Sequence, residues 1–131
     1  MKILGFVISG TKKGGYFLSQ KFYSKQFKEK LGFKPFPGTL NIQIQEENLE
    51  QIAKIPEEEI GIIEGEEEFG TVKYIKASLN DTINGALVFP VKTQHPQDIL
   101  EFIAKENLRE KLNLKDGELV NLYINVIKSE E

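Results

Sequence analysis

The sequence predicts a mainly β protein built as a small closed barrel with short peripheral helices. Three observations carry that expectation. Short runs rich in aliphatic and aromatic residues follow one another at close spacing: Ile3 to Ser9, Thr39 to Ile44, Ile60 to Ile63, Val72 to Leu79, Ala86 to Phe89 and Leu119 to Val126. Between most of them stand glycine, proline and Asn-Asp turn signals, and short strands spaced in this way close into small barrels. The 131 residues fit one domain, spanning 1–131, which buries roughly two-thirds of its unfolded surface and can have its own core.

Composition narrows the function classes. With 40% hydrophobic residues, 28% charged residues and a net charge of -3, the chain reads as an ordinary soluble globular protein whose sign disfavours duplex nucleic acid. It contains no cysteine, which excludes a disulfide framework, a thiolate zinc site and a cysteine nucleophile. The apolar start from Met1 to Phe6 meets glycine by Gly10, too soon for a signal peptide, and no run reaches the roughly 18 to 20 apolar residues of a membrane span. A cytoplasmic monomer is the expectation. Abundant Lys and Glu with a single Met fit a thermophilic source.

Taken in order, Ile3 to Ser9 is the first strand and ends at Gly10-Thr11-Lys12-Lys13-Gly14-Gly15. Glycines let backbone amides approach a ligand and lysines add positive charge, so this loop suits phosphates, although it lacks the Walker pattern and a plain hairpin turn is the alternative. Ser19 is placed to cap a helix in which Phe22, Tyr23, Phe27 and Leu31 form a packing stripe and Gly32 supplies the stop. Glu46 to Ile55 forms a short amphipathic segment broken by Pro56. The acidic runs Glu57 to Glu59 and Glu66 to Glu68 read as solvated turns, because adjacent like charges repel.

Beyond the strands at 60–63 and 72–79, Asn80 to Gly85 is the turn into Ala86 to Phe89. Thr93 to Pro96 is a loop holding the only histidine, His95, and a lone loop histidine is ordinarily structural. Periodicity alone leaves Ile99 to Ala104 open between strand and helix. Glu106 to Leu112 is a short helix carrying the only arginine, Arg109, and Asp116-Gly117 turns the chain into its last strand.

The most informative stretch is Pro35-Phe36-Pro37-Gly38-Thr39-Leu40-Asn41, where a stiff turn delivers the chain into a strand. Alternation puts Leu40, Ile42 and Ile44 on one face and Thr39, Asn41 and Gln43 on the other. Such a polar stripe is ordinarily a solvated face. The Thr39 hydroxyl and Asn41 amide also supply neutral oxygens side by side, suited to a hard cation such as Mg²⁺ that keeps waters and substrate phosphates as its other ligands.

Residues Leu31 to Asn41 resemble the signature of the archaeal CTP-dependent riboflavin kinases. Ser9-Gly10 through Gly14-Gly15-Tyr16-Phe17 resembles that family's N-terminal glycine-rich loop. The segment from Phe89-Pro90 through Thr93, His95, Glu101 and Asn107-Leu108-Arg109-Glu110 to Leu114-Lys115-Asp116-Gly117 resembles its C-terminal half. The likeness is colinear from about Gly5 to Val126. Here the glycine loop lacks an arginine found in some relatives, and Ala104-Lys105 stands for a common Ala-Pro.

The resemblance implies a cradle-loop barrel of the riboflavin synthase type and transfer of the terminal phosphate of CTP to the 5′-hydroxyl of riboflavin, giving FMN and CDP. It implies that Thr39 and Asn41 hold Mg²⁺. The nucleotide falls to Gly10, Thr11, Lys12, Lys13, Gly14 and Gly15 with Asn107, Leu108, Arg109 and Glu110, and the flavin to Thr93 and Glu101. It also favours the strand reading of Ile99 to Ala104, which sets Glu101 on one face between Ile99 and Ile103. Apolar neighbours raise a carboxylate's proton affinity, making Glu101 the candidate general base for the attacking hydroxyl. The alternative is a non-enzymatic small-barrel module that binds flavin or DNA, since fold alone does not fix function.

Overall fold

The computed structural model describes residues 1–9, 18–66, 70–90 and 98–124. Among them run seven strands: β1 (Lys2–Ile8), β2 (Leu40–Ile44), β3 (Gly61–Ile63), β4 (Val72–Leu79), β5 (Ile83–Pro90), β6 (Ile99–Ala104) and β7 (Leu119–Tyr123). Three α-helices accompany them, α1 (Lys21–Leu31), α2 (Glu46–Ala53) and α3 (Leu108–Lys111), with a short 3₁₀ turn at Glu57–Glu59. Every strand pairing is antiparallel, and the order is β3-β4-β5-β6-β2-β1-β7. β7 pairs back onto β4 through Ser78↔Tyr123 and Leu79↔Leu122, so six strands close a barrel and β3 stays outside it. β3 occupies the other end of the same β4 edge, at Val72 to Tyr74. Closure leaves few unpaired edges, which is how a chain of short strands avoids pairing with its neighbours.

Two apolar clusters explain why the strands read as dense hydrophobic runs. One contains Ile3, Val7, Ile42, Leu87, Leu100, Phe102 and Leu122 and fills the barrel. The other lies across the outer face of β4, β5 and β6, where Tyr23 and Phe27 of α1 cover Val72, Tyr74, Ala86, Val88 and Ile103. β5 is therefore buried on both faces, Leu87 inward and Val88 outward, and it reads as a continuous apolar run for that reason. α2 packs Leu49 and Ile52 against the first cluster. The expected aromatic stripe of α1 is thus packing. Phe27 meets Tyr74 edge-on at 6.0 Å, and the Tyr23 hydroxyl donates to the Gly70 carbonyl.

Several boundaries differ from expectation: the helix expected over Glu106 to Leu112 is Leu108–Lys111, the strand expected from Thr39 begins at Leu40, and two further differences have a local cause. The N-cap of α1 is Gln20 rather than Ser19, and the Gln20 side chain makes no capping bond. The stop is at Gly32 as predicted, with φ 83° and its N–H donating to the Lys28 carbonyl, the left-handed cap that glycine takes without strain. The β4–β5 reversal is tighter than the Asn80 to Gly85 turn predicted. Asn80 and Asp81 both take positive φ, 50° and 61°, and Thr82 N–H donates to Leu79 O at 3.1 Å, so β5 begins at Ile83. Asn and Asp tolerate that conformation as a hairpin corner requires. Gly85 instead lies within β5, where a Cβ would stand 2.1 Å from the Ile103 carbonyl oxygen of β6. It is the close approach of the two strands that needs glycine.

Candidate active site

The turn before β2 is anchored to the strand that faces it. Phe36 N–H donates to the Ala104 carbonyl at the end of β6, and Gly38 N–H turns back to the Phe36 carbonyl, both at 2.8 Å. From there β2 runs antiparallel to β6 with Leu40↔Phe102, Asn41↔Glu101 and Ile42↔Leu100 as partners. On its other side β6 pairs with β5, where Val88 faces Glu101. Since Leu40, Ile42, Leu100 and Phe102 fill the barrel, alternation turns Thr39, Asn41 and Glu101 to its outer side. The strand assignment for Ile99–Ala104, which periodicity left open, is thereby settled, and Glu101 lies between Ile99 and fully buried Ile103.

This row is not a solvated face. Asn41 is 8% exposed and Glu101 6%, the buried polar or charged side chains among the described residues. Only Gln43, exposed and bonded to Asp98 at 3.3 Å, behaves as an ordinary outer position of the strand. The Thr39 hydroxyl donates to Glu101 Oε1 at 3.0 Å. The Asn41 Oδ1 atom is buried without a hydrogen-bond partner among the described residues. An unpaired buried carbonyl typically costs about 1–3 kcal/mol, so its retention points to a ligand.

That atom also tests whether the residues fit a metal. A buried amide oxygen lacking a donor, next to a hydroxyl oxygen, is a donor set for a hard cation, and it fits Mg²⁺. Among the described residues no group of three His, Asp or Glu side chains could hold a metal by itself. A cation here would draw most of its negative charge from a phosphate-bearing partner.

A cleft of about 200 Å³ joins Thr39 to the last short helix. Its walls are Phe36, Gly38, Thr39, Leu40, Phe102 and Ala104 on one side and Glu106, Asn107, Leu108 and Arg109 on the other. The predicted nucleotide residues play distinct parts here. Asn107 caps α3, its Oδ1 accepting from Glu110 N–H at 3.4 Å, and Leu108 is buried in the barrel core. Glu110 is exposed. Arg109 braces the site, because Nη2 donates to the Ile8 carbonyl at 3.0 Å and to Asp116 Oδ1 at 2.5 Å. Asp116 accepts a second bond from the Ser9 hydroxyl at 2.6 Å, and this bond first, then Arg109, holds its carboxyl below the ordinary carboxylate range.

Ser9 and Asp116 are site residues that sequence reasoning missed. Both stand in segments that resemble the family, yet neither carries a site role there, and their meeting across 107 positions of chain leaves no local signal. The predicted residues Gly10, Thr11, Lys12, Lys13, Gly14, Gly15 and Thr93, together with His95, lie outside the described residues. A wider open groove of about 820 Å³ runs between β3, β4 and β7, lined by Ile60, Tyr74, Lys76 and Tyr123 among others, and contains none of the polar cluster.

The fold is a closed antiparallel barrel that sets half-buried Thr39, at a cleft, beside buried Asn41 and Glu101. Comparison with known proteins makes the family specific. Residues 7–124 match the model of a family designated CTP-dep_RFKase and described as a domain of unknown function, DUF120. The chain is 56% identical over 122 residues to the riboflavin kinase of Methanobrevibacter smithii, covering 93% of this chain and 98% of that protein. It is 47% identical over 123 residues to the riboflavin kinase of Methanothermobacter thermautotrophicus, covering 94% and 98%. With the riboflavin kinase of Archaeoglobus fulgidus the identity is 44% over 128 residues, covering 95% of this chain and 54% of that longer protein. The chain belongs to this riboflavin kinase family.

Proposed function

We propose that the protein transfers the terminal phosphate of CTP to the 5′-hydroxyl of riboflavin, releasing FMN and CDP. The observation that carries the reading is the cluster of half-buried Thr39 with buried Asn41 and Glu101, whose Thr39 shares one cleft with the Asn107 to Arg109 wall. Phosphoryl transfer needs donor and acceptor in line, charge neutralisation and an activated hydroxyl, with little covalent work by the protein. Thr39 and Asn41 hold Mg²⁺, which supplies charge neutralisation for the phosphates when bound. The Gly10 to Gly15 loop, with Lys12 and Lys13, and the Asn107 to Glu110 turn take the nucleotide, while Thr93 and Glu101 take the flavin.

Glu101 accepts the proton of the 5′-hydroxyl as its oxygen bonds to the γ-phosphorus and the bond to the β,γ-bridging oxygen breaks, leaving CDP. The barrel wall around Glu101 excludes water from that carboxylate, so the sugar-alcohol chain competes with little solvent for the phosphoryl group. Arg109, held by Ile8 and Asp116, fixes the wall that faces the nucleotide. The test is incubation of purified protein with riboflavin, Mg²⁺ and CTP, with FMN and CDP separated by chromatography. Equimolar FMN and CDP is the expected result. Flavin bound without any FMN formed would make the protein a carrier and overturn the reading.

A further inference from the structure

The bond between Thr39 and Glu101 gives the carboxylate a task besides the acceptor hydroxyl. A threonine hydroxyl has one proton and two lone pairs. In this structure the proton goes to Glu101 Oε1 at 3.0 Å, which leaves the lone pairs of Thr39 directed away from Glu101. Thr39 lines the cleft, and its neighbour on the same face, Asn41, holds a buried oxygen without a hydrogen-bond partner among the described residues. Glu101 is itself 6% exposed, fixed between the backbones of β2 and β5, so it holds that hydroxyl from a rigid position.

We propose that Glu101 is a positioning residue for the cation: by accepting the Thr39 hydrogen bond it presents the Thr39 oxygen, beside Asn41 Oδ1, as a preset pair of ligands. This rests on the reading that Thr39 and Asn41 hold a divalent cation beside the nucleotide. Groups that orient a metal ligand commonly matter to affinity by about 10- to 100-fold when removed. A glutamine at 101 can donate its amide N–H to the Thr39 oxygen, reversing the bond and blocking a lone pair. Acceptor and cation then share one carboxylate, so the flavin side of the site senses whether the metal side is set.

The experiment measures binding rather than turnover. Mn²⁺ is titrated into the protein with saturating CDP and followed by electron paramagnetic resonance, in wild type, Glu101→Gln, Thr39→Val, Thr39→Ser and the double variants. Glu101→Gln is expected to weaken Mn²⁺ by about tenfold. The same change in the Thr39→Val background has no hydroxyl to act on and is expected to cost less than about twofold, with the full effect restored in the Thr39→Ser background. Unchanged Mn²⁺ affinity in folded Glu101→Gln overturns the proposal. An equal loss with and without the Thr39 hydroxyl also overturns it, because the carboxylate would then act by charge alone. Wild type that fails to bind Mn²⁺ with CDP removes the metal site itself, and wild type that makes no FMN from CTP removes the kinase reading. Neither of those two results depends on position 101.

Discussion

Arg109 and Asp116 are joined at 2.5 Å, and through them the end of β1 is tied to α3. The same carboxylate receives the Ser9 hydroxyl, so the end of β1, α3 and the turn before β7 meet at Asp116. Both charged partners are substantially exposed, 37% and 55% at the side chain, so the contact is worth more for geometry than for stability.

The Asp116 carboxyl is held below its ordinary value by Ser9 and Arg109. A carboxylate with a depressed folded value adds stability that is fully present above the unfolded value, about 4, and disappears as pH falls through the folded value. Asp116→Asn is therefore expected to melt slightly below wild type at pH 7, and the gap should close as pH is lowered beneath about 4. Thermal melts across pH 2 to 7, monitored by circular dichroism, check this; a gap independent of pH would mean the carboxylate's charge plays no part.

CTP is expected to outperform ATP as phosphate donor at matched concentration. The designation of the matching family, CTP-dep_RFKase, carries this expectation. Initial rates of FMN formation with each nucleotide decide the matter. Equal rates would remove the donor assignment and leave the kinase in place.

Glu101→Gln keeps side-chain volume and loses basicity, and it is expected to lower kcat by about 10²- to 10⁴-fold at saturating Mg²⁺. Its effect on CTP binding should be smaller. Near-full turnover in the variant would show that positioning alone activates the hydroxyl and that Glu101 only orients the ribityl chain.

The sequence made the barrel legible because each strand carries its own alternation and most turns carry glycine, proline or Asn-Asp. Val72 to Leu79 was read to the residue, and Gly32 marked the end of α1. Thr39 and Asn41 stood out as neighbours because they are two apart on one strand. Their carboxylate partner comes from 62 residues away in the chain, and only the β2–β6 register brings Glu101 opposite Asn41. Burial of Asn41 was illegible for a related reason. A strand's outer face is ordinarily wet, and here the β2–β6 register sets Asn41 opposite the buried Glu101.

Thr39 and Asn41 are expected to separate by stability while agreeing in function. Asn41→Leu keeps size and removes a buried oxygen that has no partner among the described residues, so the metal-free variant should be at least as stable as wild type, by up to about 1–3 kcal/mol. For a chain of this length each kcal/mol is about 3–5 °C in Tm. Thr39→Val keeps the β-branched shape but takes a donor from a buried carboxylate, and its Tm should fall. In turnover assays both variants should need more Mg²⁺ for half-maximal rate and stay slower at saturation, because each lacks one of the two oxygens proposed to hold the cation. Such a pair, one more stable and one less, with the same loss of metal response, cannot arise from general damage to the fold. A fall in Tm for Asn41→Leu with normal Mg²⁺ dependence would instead make Asn41 a structural residue of β2, and the unpaired oxygen would then need a different ligand to explain it.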